Sequence, residues 1–348
     1  MPVPPERSTI LVTGASGYIG CHTVGALLGA GYRVRVATRS AAKAEYIREL
    51  FPAQREDIEH AIVEEMTAPG AYDAAVRGVS AVVHLASAIH IADGTAPADA
   101  VAEAVAGVTN LLSALQGTET VTRVVQMSSD VAVERVDDMP GPYTATEATW
   151  NTESLRICDE EGVDAPAADK YAAQKVQAER AFWDHITAHK PKWDGVALNP
   201  GFCLGPPTLY GGGLDGSSLY VLKPFLRPST EAELDEAVGN FVDVRDVATA
   251  ALRALTTPGA GGERYLLSNG PLFGNDIAQA AALAFGPEEA AARGLTAPHG
   301  ADWRTQRLRS AVVTDGGKAA RQLGIAYRSL GESLADTFAV VLREGGGK

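Results

Sequence analysis

The stretch "TILVTGASGYIG", residues 9–20, decides the fold. Residues 9–13 are apolar or β-branched and read as a strand, and a helix opens behind them over 17–29. Between the two stand Gly14, Gly17 and Gly20. Gly14 permits the tight turn, Gly17 lets backbone approach a pyrophosphate, and Gly20 lets helix and strand pack closely. Ser16, Tyr18 and Ile19 complete the loop. Free N–H groups at the helix start, with the helix dipole behind them, suit an anion. A Gly-rich hexamer alone is often only a turn. Here the strand, the helix and the chain position that the motif requires are all present, so a dinucleotide site is expected.

The next strand, "RVRVAT" (33–38), selects the dinucleotide. A site for NAD offers an acid near the end of this strand for the ribose 2′-hydroxyl. No acid stands between Tyr32 and Lys43. The strand runs instead into Arg39, a planar fork for a phosphate, with Lys43 as a point charge one turn into the following helix (41–51). The expected cofactor is NADP(H).

Further along, apolar runs alternate with helical stretches. Strands are expected at 58–64, 80–86, 122–128 and 195–200, and helices at 70–77, 97–115 and 167–190. A strand-helix unit follows at 240–255, with Asp246 as the helix N-cap. Near-continuous Val, Ile and Leu runs separated by helices indicate a parallel sheet covered on both faces. The fold class is therefore α/β, a Rossmann-type doubly wound sheet with a smaller mixed C-terminal lobe. Residues 1–200 with about 240–268 are assigned to the cofactor domain, and about 201–239 with 269–348 to the substrate lobe.

Composition excludes other classes. The 348 residues carry 30 basic against 43 acidic side chains, a formal net charge of −13. That balance argues against nucleic acid or an anionic membrane as partner. Three scattered cysteines form no disulfide framework and fit a reducing compartment. "MPVPPERS" has no apolar core of a signal peptide, and no membrane-length apolar run follows. The expectation is a cytoplasmic protein, monomer or homodimer, that acts on a small molecule.

The chemistry is expected where the fifth strand ends, at Ser128-Ser129, and in "DKYAAQK" (169–175). Helical spacing puts Tyr171 and Lys175 on one face a turn apart. A phenol with its ordinary pKa near ~10 is a poor acid or base at neutral pH, and a nearby ammonium and an oxidised nicotinamide would lower it. Ser129 would hydrogen-bond a carbonyl oxygen as charge develops there.

With these motifs in view, the chain resembles the extended short-chain dehydrogenase/reductase family, in its branch of fungal aldehyde and ketone reductases and plant dihydroflavonol reductases. "GYRVRVATRSAAKAEYI", "YAAQKVQAERAFWDH", "LNPGFCLGPP" and "FVDVRDVATA" carry the resemblance, which spans nearly the whole chain. It implies a carbonyl reductase with Ser129, Tyr171 and Lys175 catalytic, Lys175 also binding the nicotinamide ribose. It further implies that Glu65 and Met66 lie beside the adenine, although the family more often has Asp where Glu65 stands. Leu85, Ala86 and Ser87 would border the ribose and nicotinamide, and Pro200 with Gly201 the carboxamide. Ile89, His90 and Asp130 depart from flavonoid-reducing and cinnamoyl-CoA-reducing relatives and are expected in the substrate pocket. Phe202 and Leu204 join them, in a Gly-rich loop over 201–222 that also holds Leu209, Tyr210 and Leu219. Two alternatives remain: a nucleotide-sugar epimerase or dehydratase, and a non-enzymatic NADP(H) sensor.

No metal site is expected. His185 and His189 have zinc-compatible spacing but no third ligand, and read as a helix tail. His84 reads as a satisfied core or ribose-adjacent residue, Trp150, Trp183 and Trp193 as packing, and "CDEEG" (158–162) as an exposed turn.

Overall fold

The computed structural model describes residues 2–5, 8–87, 94–134, 143–207, 214, 218–295, 302–308 and 311–345. The strands are β1 (Thr9–Thr13), β2 (Arg33–Thr38), β3 (Ile58–Ile62), β4 (Ala81–His84), β5 (Arg123–Met127) and β6 (Tyr143–Ala145). They continue as β7 (Asp194–Pro200), β8 (Phe202–Leu204), β9 (Ala237–Asp243), β10 (Arg264–Leu267), β11 (Pro271–Phe273) and β12 (Val312–Thr314). The main sheet is parallel, in the order β10-β7-β5-β4-β1-β2-β3. The chain builds outward from β1 in both directions, so the order reverses between β1 and β4. Ligands of such sheets sit in the crevice outside the carboxyl ends at that point.

Both faces of the sheet are covered, and the side chains obey the period of two. Ile10, Val12, Val83 and Val125 enter one core cluster, while Leu11, Val82 and Val124 enter the other. The covering helices relevant here are α1 (Tyr18–Gly29), α2 (Ala41–Leu50), α3 (Pro97–Ala114), α4 (Glu153–Glu161), α5 (Ala167–His189), α6 (Glu231–Asp235) and α7 (Val244–Thr256). The alanine-rich α5 runs 23 residues and stops at Lys190, whose φ of 45° makes it a left-handed C-cap before Pro191.

A second layer closes over the carboxyl edge. β8, β9 and β11 form a three-stranded sheet, and β12 pairs with β6. Thus β9 of the expected 240–255 unit lies in the small sheet, whereas α7 packs on α1 and β10 joins the main sheet beside β7.

Three local expectations are corrected. Residues 70–77 form hydrogen-bonded turns, not a helix, between Gly70 and Gly78, both at positive φ. "CDEEG" begins as the last turn of α4, with Cys158 buried, because the apolar side of that helix packs on α5. The N-cap of α7 is Asp243, which accepts from Arg245 N at 2.8 Å. Asp246 is instead buried in the first turn, where it takes Arg328 N at 2.7 Å and the Arg328 guanidinium. Among the described residues no helix is long and apolar enough to cross a membrane.

Candidate active site

The loop after β1 has a shape that only glycine permits. Gly14 has φ +65°, and a Cβ on it would stand 2.8 Å from Ala86 N. A Cβ on Gly20 would stand 2.2 Å from Gly14 O, so α1 could not approach its strand. Gly17 N donates to Gly14 O at 3.0 Å and closes the turn. Gly17 is also the N-cap of α1, with no side-chain cap and no acid in the first turn. The N–H groups beside the half-buried Ser16 therefore suit a pyrophosphate. Tyr18 turns away from this loop: its hydroxyl donates to Gly205 O at 2.8 Å, while Ile19 packs on the core.

At the carboxyl end of β2, Arg39 is exposed and Lys43 half-buried on α2. Arg39 lies near enough to Glu65 for its charge to favour the carboxylate, after the two hydrogen bonds from Thr67 at 2.7 and 3.1 Å. Met66 lies against Gly107 of α3, and Asn110 donates to the carbonyls of Met66 and Ala68, 3.2 Å each. The basic end of β2 and the glycine cradle fit an adenine dinucleotide carrying a 2′-phosphate.

The loop leaving β4 is held by a residue that the sequence did not flag. Thr13 Oγ1 accepts from Leu85 N and Ala86 N, 3.1 Å each. Its own proton is then left for His84 Nδ1 at 2.7 Å, which puts the imidazole proton on Nε2. His84 is fully buried, and burial takes its pKa down to about 3, so it stays neutral.

Beyond the end of β5, the two serines face different partners. Ser128 donates to Glu179 Oε2 at 2.6 Å and is committed to α5. Ser129 Oγ lies 3.3 Å from Asp130 Oδ1, within hydrogen-bond reach, and is hydrogen-bonded to the Tyr171 phenol. Lys175 Nζ lies 5.7 Å from the Tyr171 ring centroid and donates to Ser87 Oγ at 3.2 Å. Burial lowers its pKa to about 8, against the opposing pull of Glu179. Burial also pushes the Tyr171 phenol up, opposed by its hydrogen bond with Ser129. The lowering expected from the ammonium is thus outweighed by desolvation in the protein alone, and the phenol keeps its proton.

Glu179, one turn beyond Lys175, was not singled out in the sequence. It takes Ser128, Asn199 Nδ2 at 2.7 Å, Arg264 Nε at 2.6 Å and Trp183 Nε1 at 3.3 Å. Arg264 in turn lies 3.9 Å over the Trp150 ring. The position alone, a helical turn after Lys175 on the same face, was the available signal.

Toward the lobe, Pro200 ends β7, and Gly201 N donates to Leu267 O at 3.1 Å. Phe202 covers Gly239. Leu204, expected to line the pocket, is fully buried in the lobe core, in the cluster against which the half-buried Phe202 also packs. Tyr220, unmarked in the sequence, is 57 % exposed, in the segment Ser218–Leu226. Ile89, His90, Leu209 and Tyr210 lie outside the described residues. Among the described residues no three His, Cys, Asp or Glu side chains converge as metal ligands. His185 stacks on Trp193 with ring centroids 6.3 Å apart.

Residues 10–268 match the model of the NAD dependent epimerase/dehydratase family. The chain is 32 % identical over 278 residues to the ketoreductase adrE of Penicillium roqueforti, covering 79 % of this chain and 80 % of that one. It is 35 % identical over 211 residues to aldehyde reductase 2 of Sporidiobolus salmonicolor, covering 58 % and 60 %. Gre2 of Candida albicans in complex with NADPH superposes with a TM-score of 0.84 at 26 % identity, covering 97 % of this chain and 99 % of Gre2.

Proposed function

The chain belongs to the NAD dependent epimerase/dehydratase family, within the extended short-chain dehydrogenases/reductases, and we propose that it is an NADPH-dependent carbonyl reductase that turns a ketone or aldehyde into an alcohol. The observation that carries the reading is the meeting of Ser129, Tyr171 and Lys175 at the carboxyl edge, beside the loop whose Ser87 takes the Lys175 ammonium. The reductase names of the relatives and the NADPH held by Gre2 support it.

Bound NADPH would supply the hydride. The glycine loop would hold its pyrophosphate, and Arg39 with Lys43 its 2′-phosphate. Tyr171, kept protonated by burial, would deliver a proton to the carbonyl oxygen. Ser129 would donate to the same oxygen as negative charge gathers there. Lys175, charged below about 8, would hold the ribose hydroxyls and favour the phenolate left behind. Met66, Leu85, Ala86, Pro200 and Gly201 would form the walls around base, ribose and carboxamide. The family also includes epimerases and dehydratases, but an arginine instead of an acid after β2 favours NADP(H) and with it the reductase.

NADPH and NADH absorbance, followed separately with aryl ketones, β-ketoesters and aldehydes, tests the reading. Turnover with NADPH supports it. A firm preference for NADH, or no turnover on any of these carbonyls, would refute it.

A further inference from the structure

Ser129 has one hydroxyl proton, and more than one acceptor competes for it. Its oxygen lies 3.3 Å from Asp130 Oδ1 and shares a hydrogen bond with the Tyr171 phenol. Asp130 opens the short 3-10 turn Asp130–Ala132 and is only 7 % exposed. Its other oxygen points at Gly201, 3.1 Å from where a Cβ would stand there. An acid wedged beside the serine is a problem for a reductase, because reduction gathers negative charge on the carbonyl oxygen that Ser129 would serve.

The protonation state of Asp130 decides what Ser129 can do. A carboxylate only accepts, so it would draw the serine proton to itself and add an anion next to the developing one. A carboxylic acid donates, and its proton would fill a lone pair of Ser129 Oγ and leave the serine proton free. We propose that Asp130 is a positioning residue: as the acid it donates to Ser129 Oγ and so aims the serine hydroxyl at the substrate carbonyl. This rests on the role given to Ser129 above.

The surroundings favour the acid. Burial favours the neutral carboxyl most, and the negative charge of Glu134, from the end of the same turn, acts in the same direction. From α5, Tyr171 is neutral and Lys175 has its ammonium on Ser87. From β8, the Cys203 thiol is pushed up by burial and stays neutral. Asp243, beyond Cys203, is itself held by Arg245. Only the Ser129 hydroxyl and the backbone N–H groups of Asp130 and Val131 favour the carboxylate. The balance leaves the Asp130 carboxyl at about 8.

The test is the pH profile of reductive kcat/KM in wild type, Asp130→Asn and Asp130→Val, with Ser129→Ala alongside. In wild type kcat/KM is expected to fall about tenfold per pH unit once Asp130 ionises. Asn donates at every pH and Val removes the acid, so in both variants the Asp130 share of that limb is lost and only the shallower Lys175 limb remains, whatever the height of the plateau. The Val variant keeps the test open if Asn does not fold. Lys175 titrates in the same range, so a limb that persists unmoved in the variants belongs to Lys175 and overturns the proposal. Infrared difference spectra of wild type against Asp130→Asn give a readout free of turnover. A carboxylic-acid carbonyl band at neutral pH that disappears on alkalinisation is expected, and its absence refutes the acid form. Ser129→Ala with wild-type kcat/KM would instead remove the role of Ser129, and the proposal with it.

Discussion

Lys175 Nζ donates to Ser87 Oγ at 3.2 Å, a bond that ties α5 to the loop leaving β4 across the end of the sheet. The same loop is fastened from the other side by Thr13, whose hydroxyl takes the N–H groups of Leu85 and Ala86. Lys175 is therefore held where the proposed ribose would lie, and its charge depends on the few partners that offset burial.

Ser87→Ala removes one of those partners. A hydrogen bond to a charged group is worth about 1.5–3 kcal/mol, so the ammonium of the variant should be shed at lower pH than about 8. NADPH is expected to bind about tenfold more weakly, with a larger deficit on the alkaline side, in fluorescence titrations at two pH values. Equal affinity for wild type and variant at both would show that Lys175 does not act on the ribose.

Arg39→Ala is expected to raise the KM for NADPH by about 10–100-fold, the equivalent of one lost charge-assisted contact, and to change the KM for NADH little. Steady-state kinetics with both cofactors read this directly. A uniform loss for both would mean that Arg39 supports the fold of the β2 end and not the 2′-phosphate.

How far the sequence foretold this arrangement depends on the range of the contacts. The glycine loop, β1, α1 and the long α5 were legible because each is set by local spacing, and the period of two in "TILVT" mirrors the two core clusters. Strand order follows from helices between parallel strands. The turns at 70–77 were misread because Gly70 and Gly78 cut short an alanine-rich segment that propensity alone favours as helix. Thr13 with His84 and Glu179 with Arg264 were not legible, since their partners lie 71 and 85 residues apart. The membership of β9 in the small sheet likewise rests on pairing with β8 and β11, which no local pattern encodes.

Glu179 and Arg264 form such a long-range pair, with the Glu179 side chain fully buried and Arg264 10 % exposed. Glu179→Ala leaves the guanidinium unpaired and should cost about 3–5 kcal/mol in urea unfolding. Arg264→Met in the Glu179→Ala background should recover part of that loss, because no buried charge remains. A double variant less stable than either single one would contradict the pairing as the source of the cost.

Asp130 also marks the pH dependence of stability. Its carboxyl is raised from 3.8 to about 8, so between those values the native state keeps a proton that the unfolded chain releases. Stability from this group is full below the lower value and is lost as pH rises to the upper one, by at most about 1.4 kcal/mol per unit. Glu134, also raised by burial, adds to the same slope. Asp130→Asn lacks the Asp130 contribution, so its stability relative to wild type should improve steadily from mildly acidic to mildly alkaline pH. Parallel curves for the two proteins would contradict a buried acid at this position.

The central claim is that Tyr171 gives the proton while NADPH gives the hydride. It is tested most directly by NADPH consumption with a reducible ketone or aldehyde, comparing wild type with Tyr171→Phe at equal cofactor occupancy. The account expects kcat to fall by about 10²–10⁴-fold with NADPH affinity nearly kept, the loss typical of a missing general acid. A Phe variant that reduces the substrate at the wild-type rate would contradict it.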